Sequence, residues 1–120
     1  IGTALELARR FKALVALKGC GTIIALPDGR WLINCTGNPG MATAGMGDVL
    51  TGMITALIAQ HWPPEAALIA AVHLHGEAAD RLAAAGVGPV GLTAGEAIDA
   101  ARATFNAWIT EAGAPPAEAN

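Results

Sequence analysis

NPGMATAGMGDVLTG, residues 38–52, separates the strand-like segments that precede it from the helical segments that follow it. Residues 36–47 form a loop of glycine and small side chains, and the pattern from Asp48 to about Gln60 predicts a helix. The first main-chain N–H groups of a helix have no intrahelical partner, and the macrodipole favours negative charge beside them. Glycines allow an anion to approach such groups closely. The stretch therefore predicts an anion-binding loop that leads into a helix.

Asp48 is the only ionisable side chain in this stretch, and its local pattern has two interpretations. A carboxylate in the first helical turn is favoured by the dipole and serves as a helix cap. The same carboxylate can act as a base that takes a proton from, or positions, a hydroxyl beside a bound phosphate. Glycine-rich turns are common before helices, so the four residues G-M-G-D leave both interpretations open.

The segments before residue 38 predict one helix and three strands. Thr3 to Glu6 (TALE) has the capping-box pattern and opens a helix that runs through about Lys12. The turn Pro27-Asp28-Gly29 joins the last two strands into a hairpin, because proline presets one φ and glycine supplies the other. The predicted strands are Leu14–Leu17, Thr22–Leu26 and Arg30–Cys35.

Three helices are predicted after the loop. The first runs from Asp48 to about Gln60, Pro63 and Pro64 start the second, and a capping box from Thr93 to Glu96 (TAGE) opens the third. The apolar positions at helical spacing are Leu68, Val72, Ala79 and Leu82 in the second, and Ile98, Ala101, Phe105 and Trp108 in the third. We therefore expect one domain over residues 1–112, followed by a flexible tail over residues 113–120.

Composition excludes several classes of protein. The 120 residues are 53% hydrophobic and 14% charged, which excludes disorder, and the net charge of -3 offers no basic field for nucleic acid or an anionic membrane. The most apolar run, Val49 to Ala59, is too short to cross a bilayer. Cys20 and Cys35 form neither a disulfide framework nor a metal cluster, so we expect a cytoplasmic protein with reduced thiols.

The histidines and tryptophans predict packing roles. His73 and His75 are two positions apart and therefore point in different directions on a helix, unlike the i, i+4 pair of a zinc helix. We interpret both as surface or packing residues. Trp31 and Trp108 are expected in the core or in the packing of a lid.

Residues 38–52 resemble the signature of the ADP-dependent NAD(P)H-hydrate dehydratases, a family of the ribokinase-like superfamily. Upstream, Lys18-Gly19-Cys20-Gly21-Thr22 resembles the family's K-G-x-G-T nucleotide-binding segment, and the resemblance extends from about Leu14 to Asp80. It implies a ribokinase-like three-layer α/β/α fold, of which this chain carries the C-terminal part. It also implies an enzyme that repairs hydrated NADH and NADPH. A nucleotide phosphorylates the ring hydroxyl there, and elimination of phosphate regenerates the dinucleotide.

The resemblance also implies roles for individual residues. Asp48 is the expected catalytic base, and it contacts the hydrated ring. The expected anion hole consists of Ala44, Gly45, Met46 and Gly47, and the expected contacts to the adenine nucleotide are Lys18, Gly19, Cys20, Gly21, Thr22 and Gly47. Mg²⁺ is expected to accompany ADP or ATP, but no carboxylate cluster identifies protein ligands for it.

Two alternatives remain open at this point. A small-molecule kinase of the same superfamily, such as one acting on a vitamin precursor, shares the G-x-G-D pattern, although it does not ordinarily carry the whole of residues 38–52. Alternatively, the chain is an inactive fragment, because it does not begin with Met and the family's domain is longer. A sheet this short has an exposed edge, so we expect a homo-oligomer or pairing with a missing N-terminal segment.

Overall fold

The computed structural model describes residues 1–17 and 22–113, and its elements follow the predicted order. They are α1 (Gly2–Phe11), β1 (Val15–Leu17), β2 (Ile23–Ala25), β3 (Trp31–Ile33), a 3₁₀ turn (Pro39–Met41), α2 (Met46–Ala59), α3 (Pro64–Ala84) and α4 (Ala94–Gly113). Helix α2 starts two residues before Asp48, and Gly113 is the last residue of α4 instead of the first of a tail. Residues 114–120, the rest of the expected tail, lie outside the described residues.

The hairpin is confirmed at the predicted turn. Strand β2 pairs antiparallel with β3, with Ile23 opposite Ile33, and β1 pairs antiparallel with the other side of β2. Gly29 has a φ of +95°, which favours glycine, and the Leu26 N–H donates to the Arg30 carbonyl at 2.9 Å. All three strands are shorter than expected, because pairing stops where the chain turns.

Arg30 links the hairpin to α3. Its Nε donates to Asp28 Oδ2 at 2.7 Å and its Nη2 donates to Glu65 Oε2 at 3.1 Å. Hydrogen bonds from the Arg30 main chain and guanidinium lower the pKa of Asp28, and the same carboxylate raises the pKa of Arg30. These groups are exposed, so the pairs orient the turn and contribute little to stability.

Helices cover both faces of the sheet, because side chains along β2 alternate between them. Ala25 faces α1 and packs with Ala4 and Ala8. Ile24 belongs to the larger core on the opposite face, which is formed with α2 and α3 by Leu26, Leu50, Leu57, Ala67, Leu68, Ala71 and Val72. Helix α4 packs on α3, and its Phe105 also contacts this core. The result is a small three-layer α/β/α unit, as the resemblance implied.

Two packing predictions are wrong. Ile98 is 54% exposed, because the buried face of α4 runs through Ala97, Ala101 and Thr104 and is rotated away from it. These small residues let α4 lie close to α3. Trp31 is 47% exposed on the edge strand β3, so it is not a core residue. Trp108 does pack as expected, stacked on His73 with ring centroids 5.5 Å apart.

Only one of the two predicted capping boxes forms. At α4, the Glu96 N–H donates to Thr93 Oγ1 at 3.2 Å, and the Thr93 N–H donates to Glu96 Oε1 at 3.0 Å. At α1, the helix has already begun at Gly2, its N-cap is Ile1, and none of the described side chains caps it. Thr3 therefore lies inside the helix, where it has no capping role.

Thr93→Ala and Thr3→Ala are a matched pair that tests this difference. We expect Thr93→Ala to lower the free energy of unfolding by about 1 kcal/mol, because it removes the side-chain acceptor at the N-cap. Thr3→Ala should leave stability unchanged or raise it by about 0.3 kcal/mol, because alanine is the better helix former. Urea denaturation measures both. Equal losses in the two variants would contradict the assignment of the caps.

Within residues 1–17 and 22–113, no helix combines the length and apolarity that crossing a membrane requires.

Candidate functional site

The first part of the glycine-rich loop lies along one face of α3. Thr36 Oγ1 donates to the His73 carbonyl at 3.1 Å. Gly76 lies so close to Thr36 that a Cβ at this position would overlap the threonine side chain. One turn further along, Asp80 Oδ2 accepts from the Gly37 N–H at 2.9 Å. These α3 positions are three and four residues apart, so they share one helical face.

The 3₁₀ turn follows Thr36 and Gly37, two loop residues that contact α3. Asn38 caps it, with Oδ1 accepting from the Gly40 N–H at 3.0 Å, while the Asn38 amide nitrogen donates to Asp80 Oδ1 at 3.0 Å. A Cβ on Gly40 would overlap the Pro89 carbonyl and lie 2.8 Å from Leu92 Cδ1. Glycine is therefore required at position 40 by close approach, and residues 36–41 are held between α3 and the segment that follows it.

The loop ends at the N-terminus of α2, with Gly45 as the N-cap at a φ of +88°. The Met46 side chain is only 2% exposed and anchors this turn in the interior. The Met46 N–H makes one long contact of 3.4 Å to the Thr43 carbonyl. Among the described residues, the N–H groups of Ala44, Gly45, Gly47 and Asp48 have no acceptor. Exposed donors at a helix N-terminus suit an anion.

Asp48 is the third residue of α2 and is exposed. Within residues 1–17 and 22–113, its carboxylate has neither a hydrogen-bond nor an ion-pair partner, so it forms no capping hydrogen bond. The nearby Thr51 hydroxyl donates instead to the Gly47 carbonyl at 3.0 Å. The carboxylate is thus free to contact a ligand beside the N–H groups of residues 44–47, while the favourable dipole interaction of a cap is retained.

The expected nucleotide segment is only partly described. Thr22 is half-buried, and its carbonyl accepts from the Asn34 N–H at 2.8 Å, which extends the pairing of β2 with β3. Lys18, Gly19, Cys20 and Gly21 lie outside the described residues. The structure therefore brings Ala44 to Asp48 together at the start of α2 but does not test the nucleotide contacts.

Metal-binding groups are sparse in the described part of the chain. Residues 1–17 and 22–113 contain no group of three His, Cys, Asp or Glu side chains that could hold a metal ion. His73 is exposed against Trp108, whereas His75 is 2% exposed, so the two histidines face different surroundings. Mg²⁺ usually binds through one or two carboxylates together with substrate phosphates. Asp48 is the only carboxylate in residues 36–52, so such an ion would depend largely on the nucleotide for its ligands.

A separate cleft of about 390 Å³ lies between the hairpin and the start of α3. It is lined by Leu26, Gly29, Arg30, Trp31, Leu32 and Glu65. Of the expected site residues that the structure describes, none lines it, so it is distinct from the anion-binding loop.

Asp80 and Gly76 are the residues that sequence reasoning missed. Asp80 contacts the loop across a separation of 42 and 43 residues, and no local pattern reveals such a contact. The only sequence signal was that Asp80 marks the end of the resemblance.

Comparisons with known proteins point to one family. The sequence profile described as NAD(P)H-hydrate dehydratase matches residues 1–102. The bifunctional NAD(P)H-hydrate repair enzyme Nnr of Thermofilum pendens is 54% identical over 93 residues, which are 78% of this chain and 18% of that protein. The ADP-dependent (S)-NAD(P)H-hydrate dehydratase of Neisseria meningitidis is 48% identical over 92 residues, covering 77% of this chain and 31% of that protein.

A solved structure is similar as well. The ADP/ATP-dependent NAD(P)H-hydrate dehydratase of Bacillus subtilis, co-crystallised with ATP/Mg²⁺ and soaked with CoA, superposes with a TM-score of 0.84 at 36% identity. The match covers 89% of this chain and 39% of that chain. The chain thus spans less than half the length of each of these relatives.

Proposed function

This chain belongs to the NAD(P)H-hydrate dehydratase family, and we propose that it takes part in the ADP- or ATP-dependent dehydration of hydrated NADH and NADPH. The observation that carries the proposal is a group of main-chain donors at the start of α2, beside the Asp48 carboxylate. Within residues 1–17 and 22–113, these donors have no acceptor and the carboxylate has no partner. Phosphoryl transfer needs charge stabilisation and alignment more than covalent participation by the protein, and this site offers both.

The N–H groups of residues 44–47 serve as the anion hole. Three negatively charged oxygens surround the phosphorus during transfer, and preorganised donors stabilise them without rearrangement. Ala44, Gly45 and Gly47 provide donors that have no other acceptor in the described part of the chain, whereas the Met46 N–H is shared with Thr43. The positive end of the α2 dipole adds to the attraction.

Asp48 serves as the base. Its carboxylate accepts the proton of the ring hydroxyl as that oxygen bonds to the terminal phosphorus, and the bond from this phosphorus to the bridging oxygen of the nucleotide breaks. In the second step the carbon–oxygen bond to the new phosphate breaks, and the adjacent ring carbon loses a proton to the departing phosphate. The ring double bond is restored, and phosphate leaves.

The nucleotide is expected to reach this site from the segment Lys18–Thr22, with Gly47 as the shared contact. The Bacillus subtilis relative was co-crystallised with ATP/Mg²⁺, which supports a magnesium-bound nucleotide. Mg²⁺ supplies charge neutralisation at the phosphate oxygens. We name no protein ligand for it.

The surroundings of the enzyme are also part of the proposal. We place the activity in the cytoplasm, because an exposed free thiol such as Cys35 suits a reducing compartment. We also propose that the edge strand β3 pairs with a second copy or with an N-terminal segment. The exposed side chains of Trp31, Leu32 and Ile33 support this pairing.

The test is an assay with hydrated NADH, ADP and Mg²⁺, run beside a panel of vitamin-precursor alcohols as phosphoryl acceptors. Regeneration of NADH together with release of phosphate supports the proposal. Accumulation of a phosphorylated alcohol without elimination would contradict it and favour a small-molecule kinase. Nucleotide binding without any turnover would identify the chain as an inactive fragment that needs a further segment.

A further inference from the structure

Asp80 holds the glycine-rich loop through both of its carboxylate oxygens. It lies partly buried near the C-terminal end of α3, where a negative charge gains nothing from the helix dipole. Oδ2 accepts from the Gly37 N–H at 2.9 Å, and Oδ1 accepts from the Asn38 amide nitrogen at 3.0 Å. Both partners are donors, and an ionised carboxylate only accepts, so aspartate satisfies the two contacts together.

Asn38 passes this constraint along the loop. Its amide nitrogen is committed to Asp80, so its Oδ1 faces the Gly40 N–H, which donates to it at 3.0 Å. The Asn38 carbonyl accepts from the Met41 N–H at 3.1 Å, which closes the 3₁₀ turn. Only residues 42–45 separate this turn from the first residue of α2. The path into the candidate anion hole is therefore short and is anchored at its start.

We propose that Asp80 is a positioning residue for the anion hole. Through Gly37 and Asn38 it fixes where the loop begins, and through the short connection it sets the direction of the N–H groups of residues 44–48. Its effect is indirect, because its two carboxylate oxygens accept from Gly37 and Asn38. This proposal rests on the proposed function only where it calls the N–H groups of residues 44–47 the anion hole. The effect of Asp80 on the direction of those N–H groups does not depend on that function.

Three variants separate this role from general packing. Asp80→Asn replaces one accepting oxygen by a donating NH₂ group, so one of the two hydrogen bonds is lost. Asp80→Asn combined with Asn38→Asp exchanges donor and acceptor between the two positions, and all three side-chain hydrogen bonds can form again. Glu77→Gln is the control, because Glu77 lies one turn earlier on α3 in a partly exposed ion pair with Arg81 at 3.3 Å.

The first readout needs no ligand. In isotope-labelled chain, NMR follows hydrogen exchange of the Gly37 N–H and the amide resonances of residues 44–48. In Asp80→Asn the Gly37 N–H either loses its acceptor or keeps a neutral one in place of a carboxylate, so its exchange should accelerate about 10-fold. The resonances of residues 44–48 should shift in this variant. The exchanged double variant should return the resonances of residues 44–48 to their wild-type positions and should slow Gly37 exchange relative to Asp80→Asn. Glu77→Gln should alter neither.

Unchanged resonances of residues 44–48 in Asp80→Asn would overturn the proposal, and so would a double variant that behaves like the single one. If Asp80→Asn does not fold, the resonances of residues 44–48 are compared between the double variant and wild type. Resonances that differ between these two proteins would then overturn the proposal.

The second readout is calorimetric titration with ADP and Mg²⁺. We expect Asp80→Asn to bind ADP about 10-fold more weakly than wild type, which is the loss expected for one charge-assisted contact. The double variant should recover the wild-type affinity. Equal affinity of wild type and Asp80→Asn would overturn the positioning role. Failure of the wild-type chain to bind ADP would count against the proposed function, and the ligand-free readout would still decide whether Asp80 orients the loop.

Discussion

Asp48→Asn is expected to lower kcat for hydrated NADH about 10³-fold, the usual scale of a general base, while the affinity for ADP stays within about 3-fold of wild type. Asparagine has the size and shape of aspartate but cannot accept the hydroxyl proton at neutral pH. The main-chain donors of residues 44–47 are unaffected by the substitution. Steady-state kinetics and calorimetric titration together separate the two effects.

Asp99→Asn is the matched control for this loss of charge. Asp99 is an exposed carboxylate on α4, and its Oδ1 lies 3.8 Å from Arg102 Nη2. The substitution Asp99→Asn should leave both kcat and ADP affinity unchanged. If Asp48→Asn keeps wild-type turnover, the carboxylate acts only through the helix dipole, and the base must be sought elsewhere.

Gly76→Ala is expected to lower the free energy of unfolding by about 2–3 kcal/mol. Alanine is the better residue for a helix interior, so propensity alone predicts a gain. The added Cβ, however, would overlap the Thr36 side chain and lie 2.7 Å from the Thr36 carbonyl carbon. That carbon is main chain and cannot rotate aside, so either the loop or α3 must move.

Gly52→Ala is the control for this prediction. Gly52 also lies inside a helix, and a Cβ there would meet no atom of residues 1–17 or 22–113 within 4 Å. Its substitution should raise the free energy of unfolding by about 0.5–1 kcal/mol. Urea denaturation measures both variants. A gain of stability in Gly76→Ala as well would show that the loop is not packed against α3 at that point.

Local patterns predicted the fold well where a single turn or cap decides it. The Pro27-Asp28-Gly29 turn and the Thr93 capping box formed as expected, because their hydrogen bonds join residues two to four positions apart. The same pattern at Thr3 failed, because the helix starts earlier and places this residue in its interior. A motif of four letters does not specify where a helix begins.

Contacts between distant elements were beyond the reach of these patterns. The apolar periodicity predicted that Ile98 lies on the buried face of α4. The smaller Ala97 is buried there instead, because α4 packs closely on α3. For the candidate site, the sequence identified the glycines and Asp48 from local chemistry and resemblance. The support from Gly76 and Asp80 depends on α3 returning beside the loop, which only the folded chain reveals.

The most direct test of the account is calorimetric titration of the chain with ADP and Mg²⁺, comparing wild type with Gly47→Val. Gly95→Val is the control, because Gly95 is likewise the second residue of a helix and a Cβ there would have open space. We expect saturable binding by wild type and by Gly95→Val. In Gly47→Val, affinity should fall about 100-fold or more, as two charge-assisted contacts are lost. Equal affinity in Gly47→Val, or no binding by a folded wild-type chain, would contradict the claim that the start of α2 holds the nucleotide phosphate.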